Sequence, residues 1–240
     1  MKIIYSILCI CLLSINCIAK DTDTDNNNFY IKINGGPSLP SKVGGDFPGA
    51  SITNSMVYGA ALGYDFNKHF SAELSFERRG KYKNNYSYTE IDHDDGDDES
   101  IFHSYITKIK SSAIMANLYY NFDSYYNFTP YITIGGGLAK NKTDNTIKYT
   151  SSDYYKSTGS LSKSEKNNLV YKVGLGAKYK IKNNIEIGIQ YQFIDLGRFR
   201  TGNIITSNQV SDTNNEYIEY GRLKANEFLL TATYKFNMRD

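Results

Sequence analysis

Apolar and polar side chains exchange at every second position in eight separate segments of this chain, and beyond the N-terminus no stretch reaches 18 consecutive apolar residues. A period of two belongs to a pleated strand with one face in an apolar medium. The contrast is sharpest where Phe70, Ala72, Leu74 and Phe76 alternate with Ser71, Glu73, Ser75 and Glu77. The same alternation runs through Phe29 to Asn34, Met56 to Phe66, Ile114 to Phe122, Ile132 to Leu138, Leu169 to Lys180, Ile185 to Phe193 and Glu227 to Phe236. In the fifth of these segments the run Gly135-Gly136-Gly137 predicts a tightly curved wall. A segment of about ten residues, at roughly 3.3 Å per residue and a tilt of about 45°, spans about 23 Å, close to the apolar band of an outer-membrane barrel.

A soluble barrel shares this period with its apolar face turned inward, so sidedness comes from the connections and the rings. Residues 67–69, 123–129 and 182–184 make short links, whereas 40–55, 80–108, 140–167 and 198–223 make long ones, in strict alternation. Short turns at one end and long loops at the other are the asymmetry of outer-membrane barrels. Aromatic residues crowd the short-turn end, Phe29, Tyr64, Phe66, Phe70, Tyr120, Phe122, Tyr131, Tyr179, Tyr234 and Phe236 among them. They read as an interfacial girdle. The predicted fold is therefore all-β, an eight-stranded antiparallel transmembrane β-barrel with four long outer loops, over 29–240.

The N-terminus carries an address. Lys2, the apolar stretch Ile3 to Ile15 and the exit Cys17-Ile18-Ala19 predict a signal peptide over 1–19, cut after Ala19. Some 13 apolar residues are too few to span a bilayer as a helix, which takes about 20. Lipidation at Cys17 is disfavoured because Asn16 is not the small residue such a site has before its cysteine. Residues 20–28 read as a disordered lead. Cys9, Cys11 and Cys17 all fall in the leader, so the remaining chain has neither disulfide nor thiolate metal site. Its 26 basic and 25 acidic residues balance too evenly to argue for nucleic acid.

Eight strands enclose a lumen that side chains can fill. Lys32, Asp65, Glu73, Lys172, Lys178, Lys180, Glu186 and Lys235 lie on the polar face and are expected to pair as an ionic network inside it, with Lys180 opposite Glu186 across the turn at 182–184. Pairing is the condition on which buried charge is tolerated, so the network reads as a plug before it reads as an ion path. Catalysis finds little support. His103-Ser104 with Glu99 is the one crude base and nucleophile set, and adjacent residues on a strand point to opposite faces. Asp92, Asp94, Asp95, Asp97, Asp98 and Glu99 could gather a hard cation, but with Gly96 at the turn position an EF-hand would begin at Ile91, so a solvated acidic tip is the plainer reading. No cofactor is implied.

Three segments, Phe29-Tyr30-Ile31-Lys32-Ile33-Asn34-Gly35-Gly36, Pro130-Tyr131-Ile132-Thr133-Ile134-Gly135-Gly136-Gly137-Leu138 and Tyr191-Gln192-Phe193-Ile194-Asp195-Leu196-Gly197, resemble the opacity-type outer-membrane barrel family. Within it the chain is most similar to the small surface adhesins of rickettsia-like intracellular bacteria, whose AT-rich genomes suit its Lys, Asn, Ile and Tyr content. The resemblance covers nearly all of the chain after the leader as a strand pattern and contains no catalytic signature. It implies a wall in outer-membrane lipid with loops at the cell surface, insertion by the barrel-assembly machinery, and attachment to host surface or serum proteins, vitronectin being one. It assigns no binding residue within the loops. The chain departs from the family in ending four residues after Phe236, at Asp240. A structural barrel without a dedicated ligand, or a narrow channel, stays open beside adhesion.

Overall fold

Tyr, Ile, Val, Phe and Thr suit a pleated, half-buried surface, and they carry strands through most of the chain. The computed structural model describes residues 29–41, 51–94, 97–151, 156–200, 204–207, 211–213 and 220–236. The strands are β1 (Phe29–Pro40), β2 (Ser51–Ile52), β3 (Ser55–Asp65), β4 (Phe70–Asp94), β5 (Asp97–Asn121), β6 (Phe128–Ser151), β7 (Lys156–Lys182), β8 (Ile185–Arg200), β9 (Ile204–Ser207), β10 (Ser211–Thr213) and β11 (Tyr220–Lys235). The wall consists of β1, β3, β4, β5, β6, β7, β8 and β11, each antiparallel to the next, and it closes where Ile33 of β1 meets Ala232 of β11. A closed wall has no edge in the band it spans, so every ladder position there finds a partner.

Burial settles which face meets lipid. Leu62, Leu169 and Leu230 are 65%, 84% and 70% exposed on the outside, whereas Lys172, Gln192 and Glu227 are 2%, 0% and 0% exposed on the inside. Such a surface is inverted relative to a soluble protein, and a hydrocarbon surround is the medium that stabilises it. At the short-turn end Phe29 packs edge-on against Tyr64 at 4.8 Å and Phe70 against Tyr120 at 5.2 Å. Tyr131, expected in this girdle, is instead buried in the lumen and donates to Gln190 at 3.0 Å. It shares the inward parity of Thr133, and only even positions of β6 face out there. The link between β5 and β6 closes on Tyr126 and Asn127, both with positive φ (47° and 65°), between the paired Tyr125 and Phe128. A two-residue hairpin turn of this hand favours Asn.

The long connections differ from the expectation of loops. Strands β4, β5, β6 and β7 run 24 to 27 residues, so most of 80–108 and 140–167 continues the wall as paired hairpins. Their β-rich residues keep hydrogen bonding after the apolar face ends, because the ladder needs a partner strand and not a lipid surround. Parts of the other two connections lie against them: Ser51 pairs Asn85 of β4, and Ser207 of β9 pairs Gly159 of β7. The result beyond the band is a curved sheet in the order β2, β4, β5, β6, β7, β9, β10. Residues 1–28, expected to hold a leader and a lead, and the tail after Phe236 lie outside the described residues.

Candidate functional site: a filled lumen beneath an outer sheet

Alternation delivers one residue in two from each strand to the lumen, and there the charges collect into three layers. Nearest the short turns, Lys235 Nζ lies 3.0 Å from both Asp65 and Glu186, and Lys178 lies 3.7 Å from Glu186. One layer on, Lys32 forms an ion pair with Glu73 and donates to the Tyr119 hydroxyl at 2.8 Å. Tyr119 donates to Glu73 at 3.2 Å, and Asn117 does the same at 3.2 Å. Mid-barrel, Arg79 bridges Glu227 at 2.7 Å and Glu77 at 2.6 Å, while Lys172 reaches Glu77 at 2.7 Å. Gln192 and Ser38 donate to Glu227 at 2.6 and 2.7 Å. Glu73, Glu77, Glu186 and Glu227 thus each meet more than one partner, the condition under which ionised groups persist away from water.

Of the residues singled out from sequence, Lys32, Glu73, Asp65, Lys178, Glu186 and Lys235 come together in the two layers nearer the turns, and Lys172 joins the third. Lys180 does not. It is the backbone partner of Glu186, as expected, yet it stands exposed, and the Glu186 carboxylate turns to Lys178 and Lys235. A register shift between Lys180 and Lys182 ends the inward face there, and a lysine at the rim gains more from water than from the lumen. Sequence reasoning missed Arg79, the centre of the mid-barrel layer. Its signal was present: 71, 73, 75 and 77 face inward, and 79 continues their parity.

Toward the outer end the filling changes character. Tyr82, Ile109, Met115, Leu196, Phe199 and Leu223, all essentially inaccessible, pack into one apolar cluster. Leu196 reaches it on the inward parity of Gln190 and Gln192, and Phe199 through an irregularity at Asp195-Leu196-Gly197. Gly197 takes φ +76°, a left-handed conformation open to glycine, and its N–H donates to the Asp195 carboxylate at 3.0 Å. Arg222 holds the same carboxylate at 2.9 Å, beside the register shift at Arg222/Lys224 of β11. Asn168 receives the Arg198 N–H at 3.0 Å and donates to its carbonyl at 2.8 Å. A bulge re-aims side chains, and this one turns Phe199 into the lumen. Gly137 serves the wall differently: a Cβ there would sit 2.0 Å from the Ile114 carbonyl.

The acidic run is divided between two strands. Asp92 is the Cα partner of Glu99 and Asp94 of Asp97, while Asp95 lies outside the described residues. His103 and Ser104 are consecutive in β5, and Glu99 lies in the same strand. Among the described residues, no group of three His, Asp or Glu gathers as a metal site.

The chain is 30% identical over 210 residues to the outer membrane protein PagN of Salmonella typhimurium, covering 85% of this chain and 79% of that protein. It is 22% identical to a protein of Rickettsia canadensis named as a candidate adhesin, with 90% of each covered. Among solved structures, Neisserial surface protein A aligns over 87% of this chain and 97% of its own, with TM-score 0.45 and 16% identity. The family model for the outer membrane protein beta-barrel domain matches residues 7–236. The chain belongs to this outer-membrane β-barrel family.

Proposed function

We propose that the protein is a surface adhesin whose outer sheet binds host surface or serum proteins, vitronectin among the ligands to test. The single observation that carries this reading is the continuation of β4 to β7 as paired hairpins past the apolar band, with β2 and β9 laid against them. A sheet held by main-chain bonds offers a preorganised surface, which binds at lower entropic cost than loose loops. The relative named as a candidate adhesin gives the reading its class. The filled lumen favours display over conduction, because three charged layers and an apolar cluster occupy the space that a solute would cross.

Displayed on a non-adherent strain, the chain should attach cells to a host monolayer and to immobilised vitronectin. Replacing 86–105 with Asn-Gly, between the partners Asn85 and Ile106, and 144–163 with Asn-Gly, between Thr143 and Ser164, should abolish attachment while the barrel keeps its heat-dependent gel mobility. Attachment that survives both truncations would sink the proposal and leave a structural barrel, whose deletion weakens the envelope and spares attachment. Residues 1–19 are proposed as the leader, so the mature mass should begin at Lys20. Insertion is assigned to the barrel-assembly machinery.

A further inference from the structure

Just past the apolar band, the outward faces of three neighbouring strands turn from Phe76, Ile114 and Leu138 to cations. Arg78, Lys81 and Lys83 are exposed on β4, and on β5 Lys110 is exposed and Lys108 half-buried. On β6, Lys140 and Lys142 share Glu165 at 2.7 and 2.5 Å. At the same end of the wall β1 and β3 present Pro37, Leu39 and Ser55, while β8 and β11 present Arg198 and Arg222, the latter held by Asp195.

Register makes the arrangement costly. Lys83 is the Cα partner of Lys108, and Lys110 is the partner of Lys142. Like charges directly opposite one another on one face destabilise an antiparallel pair, and here two such pairs lie on adjacent ladders. Asp144 is the Cα partner of Lys108, and Glu165 is already shared by two lysines. Among the described residues no carboxylate pairs with Arg78, Lys81, Lys83, Lys108 or Lys110. An anion from outside the chain that touched both members of a pair would turn repulsion into attraction. Because the sector adjoins residues seated in hydrocarbon, the anions held at its depth are those of the bilayer surface itself.

We infer that this face of β4, β5 and β6 is a binding site for the phosphate groups of phosphorylated lipids in the outer leaflet, with Arg78, Lys83, Lys108 and Lys110 as its principal contacts. Basic side chains at a membrane surface attract anionic headgroups, and the attraction grows with each cation. Adhesion is a separate property, because the sector lies at the foot of the hairpins that the adhesin reading invokes.

The test uses the full mature barrel refolded in a neutral detergent, with lipid A bearing two phosphates as the probe and native mass spectrometry as the readout. Arg78→Gln/Lys83→Gln/Lys108→Gln/Lys110→Gln should weaken binding by about tenfold or more, and removal of the phosphates from the probe should weaken binding to the parent alike. A control triple, Lys68→Gln/Lys180→Gln/Lys182→Gln, alters exposed lysines at the short-turn end and should bind as the parent does. Unchanged binding in the quadruple variant overturns the site, as does an equal loss in the control. So does a soluble sulfated polysaccharide that binds the same cations in preference to the lipid.

Should the quadruple variant fail to refold, Lys83→Gln/Lys110→Gln supplies a second readout that a merely structural role would not give. In phosphatidylcholine vesicles this double variant should unfold at higher denaturant than the parent, because a repulsion is gone. In vesicles containing the bisphosphorylated lipid the order should reverse, because a ligand contact is gone. The same order in both membranes overturns the proposal.

Discussion

The same strands obey opposite rules at their two ends. Within the band, β4 turns Phe76 outward and Glu77 inward, and β11 turns Phe228 outward and Glu227 inward; farther on, β4 exposes Lys81 and Lys83 and buries Tyr82, and β11 exposes Arg222 and buries Leu223. β11 keeps its parity throughout, and β4 changes it once, at Arg79/Tyr82. What changes is the medium. Where hydrocarbon surrounds the wall, apolar groups face out and buried polar groups must pair; where water surrounds it, an apolar cluster occupies the interior, with Asn84, Thr107, Asn141 and Thr143 buried at the same end. The crossover from Phe76 to Lys81 therefore marks where membrane gives way to water.

The sharpest way to break that comparison is to remove one member of the mid-barrel pair. Glu227→Ala leaves Arg79 without its main carboxylate and strips Gln192 and Ser38 of an acceptor. Orphaning a buried charge costs about 3–5 kcal/mol, so denaturant unfolding from vesicles, followed by loss of the heat-shifted gel band, should move to much lower urea. A midpoint near that of the parent would mean that water reaches Arg79 and that the lumen is open at this depth.

Next comes the apolar cluster above it. Leu223→Ala should cost about 2–5 kcal/mol, the range for emptying a packed aliphatic site, and the loss should be the same in thick and thin bilayers if the cluster lies clear of the band. On the outside of the wall, Leu74→Arg places a charge amid the lipid-facing column and should cost about 2–4 kcal/mol at mid-depth. Lys83→Leu, past the crossover, should change stability by no more than about 0.5 kcal/mol, as surface substitutions do. If Lys83→Leu and Leu74→Arg cost the same, the boundary is misplaced.

Much of the band was legible because a lipid-facing column must be apolar at every second position. Leu74 beside Glu73 marks two opposed faces, the short turns followed from where alternation paused, and turns and rings together decided which face meets lipid. The extent of the outer hairpins was not legible from that signal, since water on the outer face permits Lys, Ser and Asn at every exposed position and the apolar period fades. Other signs remained, including Tyr86-Ser87-Tyr88-Thr89 and the Asp95-Gly96 dipeptide, a hairpin-turn pair. Arg79 falls between Glu77, the last residue of the sharp alternation, and the connection expected from 80. The inward turn of Phe199 depends on Asp195, Gly197, Arg222 and Asn168 meeting in space. No local pattern encodes a contact among residues of three strands.

The smallest effect belongs to the exposed side of the crossover and separates it from the lumen by its response to pH. Lys140 and Lys142 together lower the Glu165 carboxyl from the ordinary 4.5 to about 2. A carboxyl held lower in the folded state than in the unfolded chain stabilises the fold fully above the ordinary value and loses that contribution as pH falls toward about 2. The difference in unfolding midpoint between the parent and Glu165→Gln should be constant from pH 7 to about 5 and shrink steadily below about 4.5. Because the group is exposed, the difference should also fade in concentrated salt. The Arg79 to Glu227 pair, closed off from solvent, should hold its effect in the same salt. A Glu165 effect indifferent to salt would move this residue out of the water-facing region, and with it the boundary that the sign change along β4 defines.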